Sequence, residues 1–243
     1  MAVYKADAIV IRSREYGESD KLITLFSREK GKLEAVAKGV RKPKSKQRGG
    51  TQLFTYADFL LYKGRNLDIV NQVNPKESFI HLWDDFDRMI AASGVAELLD
   101  AATLREQAEP QLFTLTLGSL FLMKIVDPYI VQATFALKIL KFIGLLPGLD
   151  RCVSCGKQLK GEQIFLCVDD GVMCQTCKKD KYGMMVSPGS AAFMQQLLSV
   201  NIDRLDRLRW SKKMKEEIHQ SLMFYSENKL EKRLLAWRTG NEM

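Results

Sequence analysis

The sequence predicts an α+β, multi-domain protein: a small β-barrel over residues 1–78, then an α-helical domain over 79–243 carrying a cysteine-rich segment at 149–182. Three observations carry this reading. The first eighty positions hold five short runs rich in β-branched and aromatic residues, separated by Gly, Ser, Asp and Lys turns. From Phe79 onward, apolar residues recur at three- and four-residue steps. All the cysteines fall between positions 152 and 177.

The expected strands are Tyr4 to Arg14, Leu22 to Ser27, Leu33 to Lys38, Phe54 to Lys63 and Leu67 to Val73. The second and third are joined by the polar, glycine-bearing stretch Arg28 to Lys32, which suits a hairpin. The fourth alternates poorly at Phe59-Leu60-Leu61-Tyr62. Helical spacing then runs through Leu82, Phe86, Met89 and Ile90 to Leu98, Leu99 and Ala102. Pro110 and Pro128 suit first helical turns, where a missing N–H costs nothing, and Asp127 suits an N-cap. Tyr129 to Ile143 is apolar nearly all round, as in a helix at the centre of a bundle, and Gly144 with Pro147-Gly148 ends it. Pro188 to Val200 and Ser211 to Trp237 complete the helices.

An apolar content of 46% over 243 residues fills a real core and excludes intrinsic disorder. Lys and Arg number 37 against 29 Asp and Glu, a net +8 that biases the chain toward phosphate-rich partners. The charge is uneven: residues 1–80 carry 16 basic and 9 acidic side chains, whereas 81–150 carry 5 and 9. Met1 to Asp7 shows no secretion signal, so a cytoplasmic location is expected by default. Leu112 to Ile143 is interrupted by Lys124, Asp127-Pro128, Lys138 and Lys141, short of the roughly 20 apolar residues of a membrane span.

Cys152, Cys155, Cys174 and Cys177 form a C-x2-C-x18-C-x2-C array, the spacing of a four-thiolate zinc site. Four thiolates leave no open position, so the expected zinc, one per chain, is structural. Ordinary buried cysteines or a redox pair are the bland alternative. Gly156 suits a turn of positive φ, and Cys167 is left over as an apolar filler. His81 and His219 lie in helical patterns, and the zinc-deaminase motif is absent. Both read as surface or boundary histidines.

Lys38 to Gly50 contains six cations, Lys38, Arg41, Lys42, Lys44, Lys46 and Arg48, and no acid. A lone charge run is usually a solvated loop. Its place after the third strand, with Arg12, Arg14 and Lys21 nearby in sequence, favours a nucleic-acid backbone grip with Gly and Pro keeping the loop open. Six phosphate contacts on a single strand would give a log K against log salt slope of about −4. Tyr16, Phe54 and Tyr56 are the aromatics for base stacking, Tyr16 foremost.

The runs Ala8-Ile9-Val10-Ile11-Arg12, Tyr16-Gly17-Glu18-Ser19-Asp20-Lys21-Leu22 and Ala37-Lys38-Gly39-Val40-Arg41-Lys42-Pro43-Lys44-Ser45 together resemble the N-terminal barrel of the bacterial RecO family. The resemblance continues through Gly144-Leu145-Leu146-Pro147 to the paired cysteines, and so spans the chain. It implies an oligonucleotide-binding (OB) fold, binding of single- and double-stranded DNA, and annealing of complementary strands. It further implies work with RecR to load RecA onto DNA coated by single-strand-binding protein. The family's DNA-binding cations fall on Lys38 and Arg41, and less directly on Lys42, Lys44, Lys46 and Arg48. The acidic tail of single-strand-binding protein would suit the basic Arg204 to Lys215 stretch around Trp210. No ATPase, metalloprotease or hydrolase motif occurs, so a non-enzymatic role in DNA repair, recombination and the DNA-damage (SOS) response is expected. A zinc-ribbon RNA-binding or ribosome-associated factor is the alternative that the basic barrel fits nearly as well.

Overall fold

The computed structural model describes residues 2–146, 148–168 and 171–240; Pro147, expected in the turn after the apolar helix, lies outside them. Two compact units emerge. The first comprises residues up to Asp84 together with Thr103–Phe121, and the second Asp85–Ala102 together with the chain from Leu122 on.

In the first unit, β1 (Val3–Tyr16), β2 (Asp20–Ser27), β3 (Gly31–Ala37), β4 (Tyr56–Tyr62) and β5 (Asp68–Glu77) close a barrel in the order β1-β2-β3-β5-β4. All neighbours are antiparallel except β3 and β5, which run parallel with Ala35 opposite Asp68. This is the five-stranded Greek-key order of an OB fold. β1 serves both β2 and β4 because a register shift between Val10 and Arg12 bends it. Inside lie Ala6, Ala8, Val10, Ile23, Leu25, Leu33, Ala35, Phe59, Leu61 and Val70. β4, poorly alternating by eye, does alternate: Ala57, Phe59 and Leu61 point in.

The helix α2 (Pro110–Leu122) was expected among the helices after residue 79, yet its first twelve residues pack with the barrel. The physical reason is an apolar outer face. Phe26, on the side of β2 opposite to Ile23 and Leu25, is fully buried and stacks on Phe113 at 6.5 Å, while Tyr56 meets the same ring edge-on at 6.0 Å. Gly31 opens β3 at φ +65°, and a Cβ there would overlap the Gln107 carbonyl. Gly31→Ala is therefore expected to destabilise this unit by about 3 kcal/mol or more, read from its unfolding midpoint in denaturant.

In the second unit, α3 (Pro128–Phe142) is buried on nearly every face, as its all-round apolarity predicts. Asp127 caps it, accepting from the Tyr129 N–H at 2.9 Å. Around it stand α1 (Phe86–Ala102), α4 (Pro188–Ser199) and α5 (Lys212–Leu230). The helical spacing seen from Phe79 begins instead with a single 3-10 turn, Ile80–Leu82. The helix expected from Ser211 to Trp237 is broken. It stops at Leu230 because Glu231 adopts a left-handed conformation, and a short α6 (Leu235–Thr239) follows. Glu227 holds the break, accepting from the Leu234 N–H and pairing with Arg238. Trp237 is fully buried and donates to the Gly94 carbonyl at 3.0 Å. His219 is no surface histidine: it is buried, stacked on Trp237 at 4.9 Å and met edge-on by Tyr129. Among the described residues, no helix is long and apolar enough to cross a membrane.

Candidate nucleic-acid interface and metal centre

The connection from β3 to β4 is pinned at several points, contrary to the open loop expected from its Gly and Pro content. Val40 is fully buried in the barrel core. The Gly39 N–H donates to Asp20 at 2.7 Å, the Arg41 N–H to the Ser19 carbonyl at 2.9 Å, and the Gln47 amide to the Asn71 carbonyl at 2.7 Å. Successive turns bond Lys42 to Gly39, Ser45 to Lys42 and Arg48 to Ser45. The loop is thus a built platform that holds its cations out. Asp20, Val40 and Gln47, which create it, carry no sequence signal beyond one acid, one apolar residue and one amide.

On that platform Lys38, Lys42, Lys44, Lys46 and Arg48 are exposed and pair with no carboxylate among the described residues. Several other cations of the same unit are neutralised: Arg28 by Asp7, Lys63 by Glu106 and Asp68, Lys76 by Asp7 and Asp58, and Arg105 by Glu34. Lys5, Arg14, Lys30 and Arg65 also pair with no carboxylate among the described residues, but they are scattered along the chain, whereas the loop gathers five such cations in eleven positions.

Arg41 differs from its neighbours. Its guanidinium donates to the Gly17 and Glu18 carbonyls at 3.3 and 3.1 Å and pairs with Glu15 at 2.9 Å. It staples the loop to the β1–β2 turn. Lys21, opposite inward-facing Ala37, lies at the end of the barrel beneath the loop and donates to Gln52 at 3.2 Å. Burial lowers its pKa from the usual lysine range, and the Arg48 and Arg41 charges lower it further against a smaller opposing pull from Glu15. Lys21, Arg41 and Arg48 are thus brought together. Arg12 and Arg14 lie opposite Thr24 and Leu22, on the outer face of the sheet, and do not join them at the barrel end.

Of the three aromatics expected to stack on bases, only Tyr16, 47% exposed at the end of β1, is open to solvent. Phe54 is fully buried, and Tyr56 is held between Asp7, Phe113 and Lys76. Both belong to the packing of the barrel.

The cysteines sit in a small ribbon of the second unit. Its sheet has β6 (Ile164–Cys167) between β7 (Gly171–Met173) and β8 (Gly183–Val186). Cys152 to Cys155 form one knuckle, closed by the Gly156 N–H bonding to the Cys152 carbonyl at 2.9 Å with Gly156 at φ +73°. Cys174 follows β7 and opens the second knuckle, closed by the Cys177 N–H on the Cys174 carbonyl. The four sulfurs lie within 4.8 Å of one another. A tetrahedron of Zn–S bonds of about 2.3 Å spaces its sulfurs by roughly 3.8 Å, so the set fits a zinc ion with only a small contraction.

The electrostatics favour the same use. Burial pushes the Cys152 thiol up, but the Cys174, Cys155 and Ser154 N–H groups outweigh it and bring it down to about 6. The Cys177 N–H, chiefly, lowers Cys174. Cys177 receives a hydroxyl from Ser154, yet its neighbours Cys174 and Cys155 push it up to about 12. Four thiolates this close repel one another, and a cation at their centre removes the conflict. Cys167 lies in β6, fully buried and outside the group of four.

Residues 1–79 match the family model described as "Recombination protein O N terminal", and residues 84–238 match "Recombination protein O C terminal". The chain is 53% identical over 248 residues to "DNA repair protein RecO" of Desulfitobacterium hafniense (strain Y51), covering 100% of this chain and 91% of the relative. It is 34% identical to the protein of that name from Desulforamulus reducens, with 96% and 92% covered. For Symbiobacterium thermophilum the identity is 38%, with 96% and 95% covered.

Proposed function

The chain belongs to the RecO family of DNA repair proteins, and on that premise we propose that it is a non-enzymatic recombination mediator. It binds single- and double-stranded DNA, anneals complementary strands without ATP, and acts with RecR to place RecA on DNA coated by single-strand-binding protein. The observation that carries this reading is the cluster of uncompensated cations on a pinned loop at one end of an OB barrel.

The mechanism is electrostatic. Lys38, Lys42, Lys44, Lys46 and Arg48 neutralise phosphates of a strand laid on the platform, and Tyr16 beside it offers a face for one base. Neutralised strands repel one another less, which permits pairing with no nucleotide hydrolysed. Contacts to phosphate carry no sequence information, so binding is sequence-independent. Arg41 positions the loop more than it grips DNA. Arg12 and Arg14, on the outer sheet face, extend the path for a longer strand.

A strand-annealing assay across a salt series without ATP tests this. Annealing that falls steeply with salt is expected; annealing that needs ATP, or ignores salt, contradicts it. Equal-length DNA and RNA competitors separate this role from RNA binding, with DNA expected to compete at least as well.

Lys21 gives a second test. Its protonated form is disfavoured in the fold, so at neutral pH it costs stability that is regained as pH rises through its lowered pKa. Lys21→Met is expected to raise the unfolding midpoint while weakening binding of an oligodeoxythymidine. A variant less stable than the parent and unchanged in affinity contradicts that role.

The four cysteines hold one zinc ion, which braces the ribbon and has no open coordination position for a reaction. For the tail of single-strand-binding protein, we favour the exposed Arg204, Arg207, Arg209, Lys212 and Lys213. Trp210 between them is already engaged, donating to Asp127 at 2.8 Å and packed on Phe193. It shapes that surface and does not reach out from it. Cytoplasmic, nucleoid-associated residence follows from these partners.

A further inference from the structure

We propose that Cys155 is a site of oxidative modification through which a hydroperoxide opens the four-cysteine centre; the inference rests on the zinc reading above. The four ligands differ in access. Cys152 and Cys174 are 2% and 4% exposed and Cys177 is partly covered, whereas Cys155 is exposed on its knuckle. A cysteine bound to zinc is a thiolate, and oxidation follows thiolate character and access. The Cys155 sulfur lies 3.9 Å from that of Cys174, on the other knuckle. Closing to a disulfide of about 2.05 Å asks for a shift of roughly 2 Å. The most exposed cysteine of the four thus reacts first, and a buried one stands ready to resolve it.

The chemistry balances with hydrogen peroxide as oxidant. The Cys155 thiolate attacks one peroxide oxygen, the O–O bond breaks, and the departing hydroxide takes a proton to leave as water. Cys155 is then a sulfenic acid. The Cys174 thiolate attacks that sulfur, the S–O bond breaks, and a second hydroxide leaves with a proton as water. Two thiolates have given up two electrons, one peroxide has become two waters, and two protons are consumed. Zinc is left with two ligands and dissociates, so the brace between the knuckles is replaced by a covalent link that a dithiol can undo.

The full-length chain is the sample, and its zinc content is measured first. Hydrogen peroxide is then added with a chromogenic chelator to follow released metal, and with dimedone to trap sulfenic acid. We expect stoichiometric zinc release and a Cys155–Cys174 disulfide in the non-reduced peptide map. Early in the reaction Cys155 should carry at least about tenfold more dimedone than Cys152 or Cys177. Dithiothreitol with added zinc should restore the metal. Zinc retained through peroxide treatment, or dimedone found first on another cysteine, overturns the proposal. A chain purified without zinc overturns the metal reading itself.

Discussion

Replacing Lys38, Lys42, Lys44 and Lys46 together by Gln is expected to weaken binding of single-stranded DNA at low salt by on the order of a hundredfold to a thousandfold. The salt dependence is the sharper signature. The five uncompensated loop cations contribute about −3.5 to the log–log slope, and removing four of them should make it shallower by about 2.8. Arg41 is left out of this count because its guanidinium is spent on Glu15 and two carbonyls. For the same reason it is left out of the variant, where its loss would move the loop and confuse position with charge. The four lysines are exposed, and the loop's anchors lie at Val40, Asp20 and Gln47. The fold should therefore survive. Fluorescence anisotropy of a labelled oligodeoxythymidine across a salt series, with circular dichroism as the folding check, reads both quantities. A folded variant that keeps the parental slope would remove the loop from the binding path.

Cys174→Ser should have the largest structural effect. It removes a buried member of the four-cysteine group at the exit of β7 and would leave three thiolates for the proposed zinc ion. The ribbon sheet has strands of only 4, 3 and 4 residues, too small to stand without a staple. A structural zinc site supplies on the order of 10 kcal/mol toward folding. Hydrogen exchange should show residues 151–186 losing protection while β1 to β5 keep theirs, and chelation of the parent should reproduce the pattern. Unchanged protection in a zinc-free chain would mean that the ribbon's own packing suffices.

Much of this was legible in the residues. The five strands along the chain, the helix capped by Asp127, the turn at Gly156 and each Cys-x2-Cys pair follow from local chemistry, because each depends on neighbours within a few positions; the barrel order, which sets β3 beside β5 and β1 beside β4, does not. The helix break at Glu231 was not. Nothing in Ser211 to Trp237 forbids a continuous helix, and it is Trp237 reaching Gly94, with Glu227 capping Leu234, that makes breaking it worthwhile. His219 illustrates the same limit. A histidine among Glu and Lys reads as exposed, and only the ring of Trp237 laid on it says otherwise.

By itself the sequence determined that the chain carries an acid-free run of cations after a third strand, and two cysteine pairs at the spacing of a metal site. Charge and spacing are properties of the chain as written. Which cations remain available was decided by tertiary structure, since pairing depends on where a distant carboxylate or carbonyl comes to rest. Glu15 and the β1–β2 turn take up Arg41, and the strand register sends Arg12 and Arg14 to another face. The lysines of the loop stay open because, among the described residues, no acid is brought within their reach.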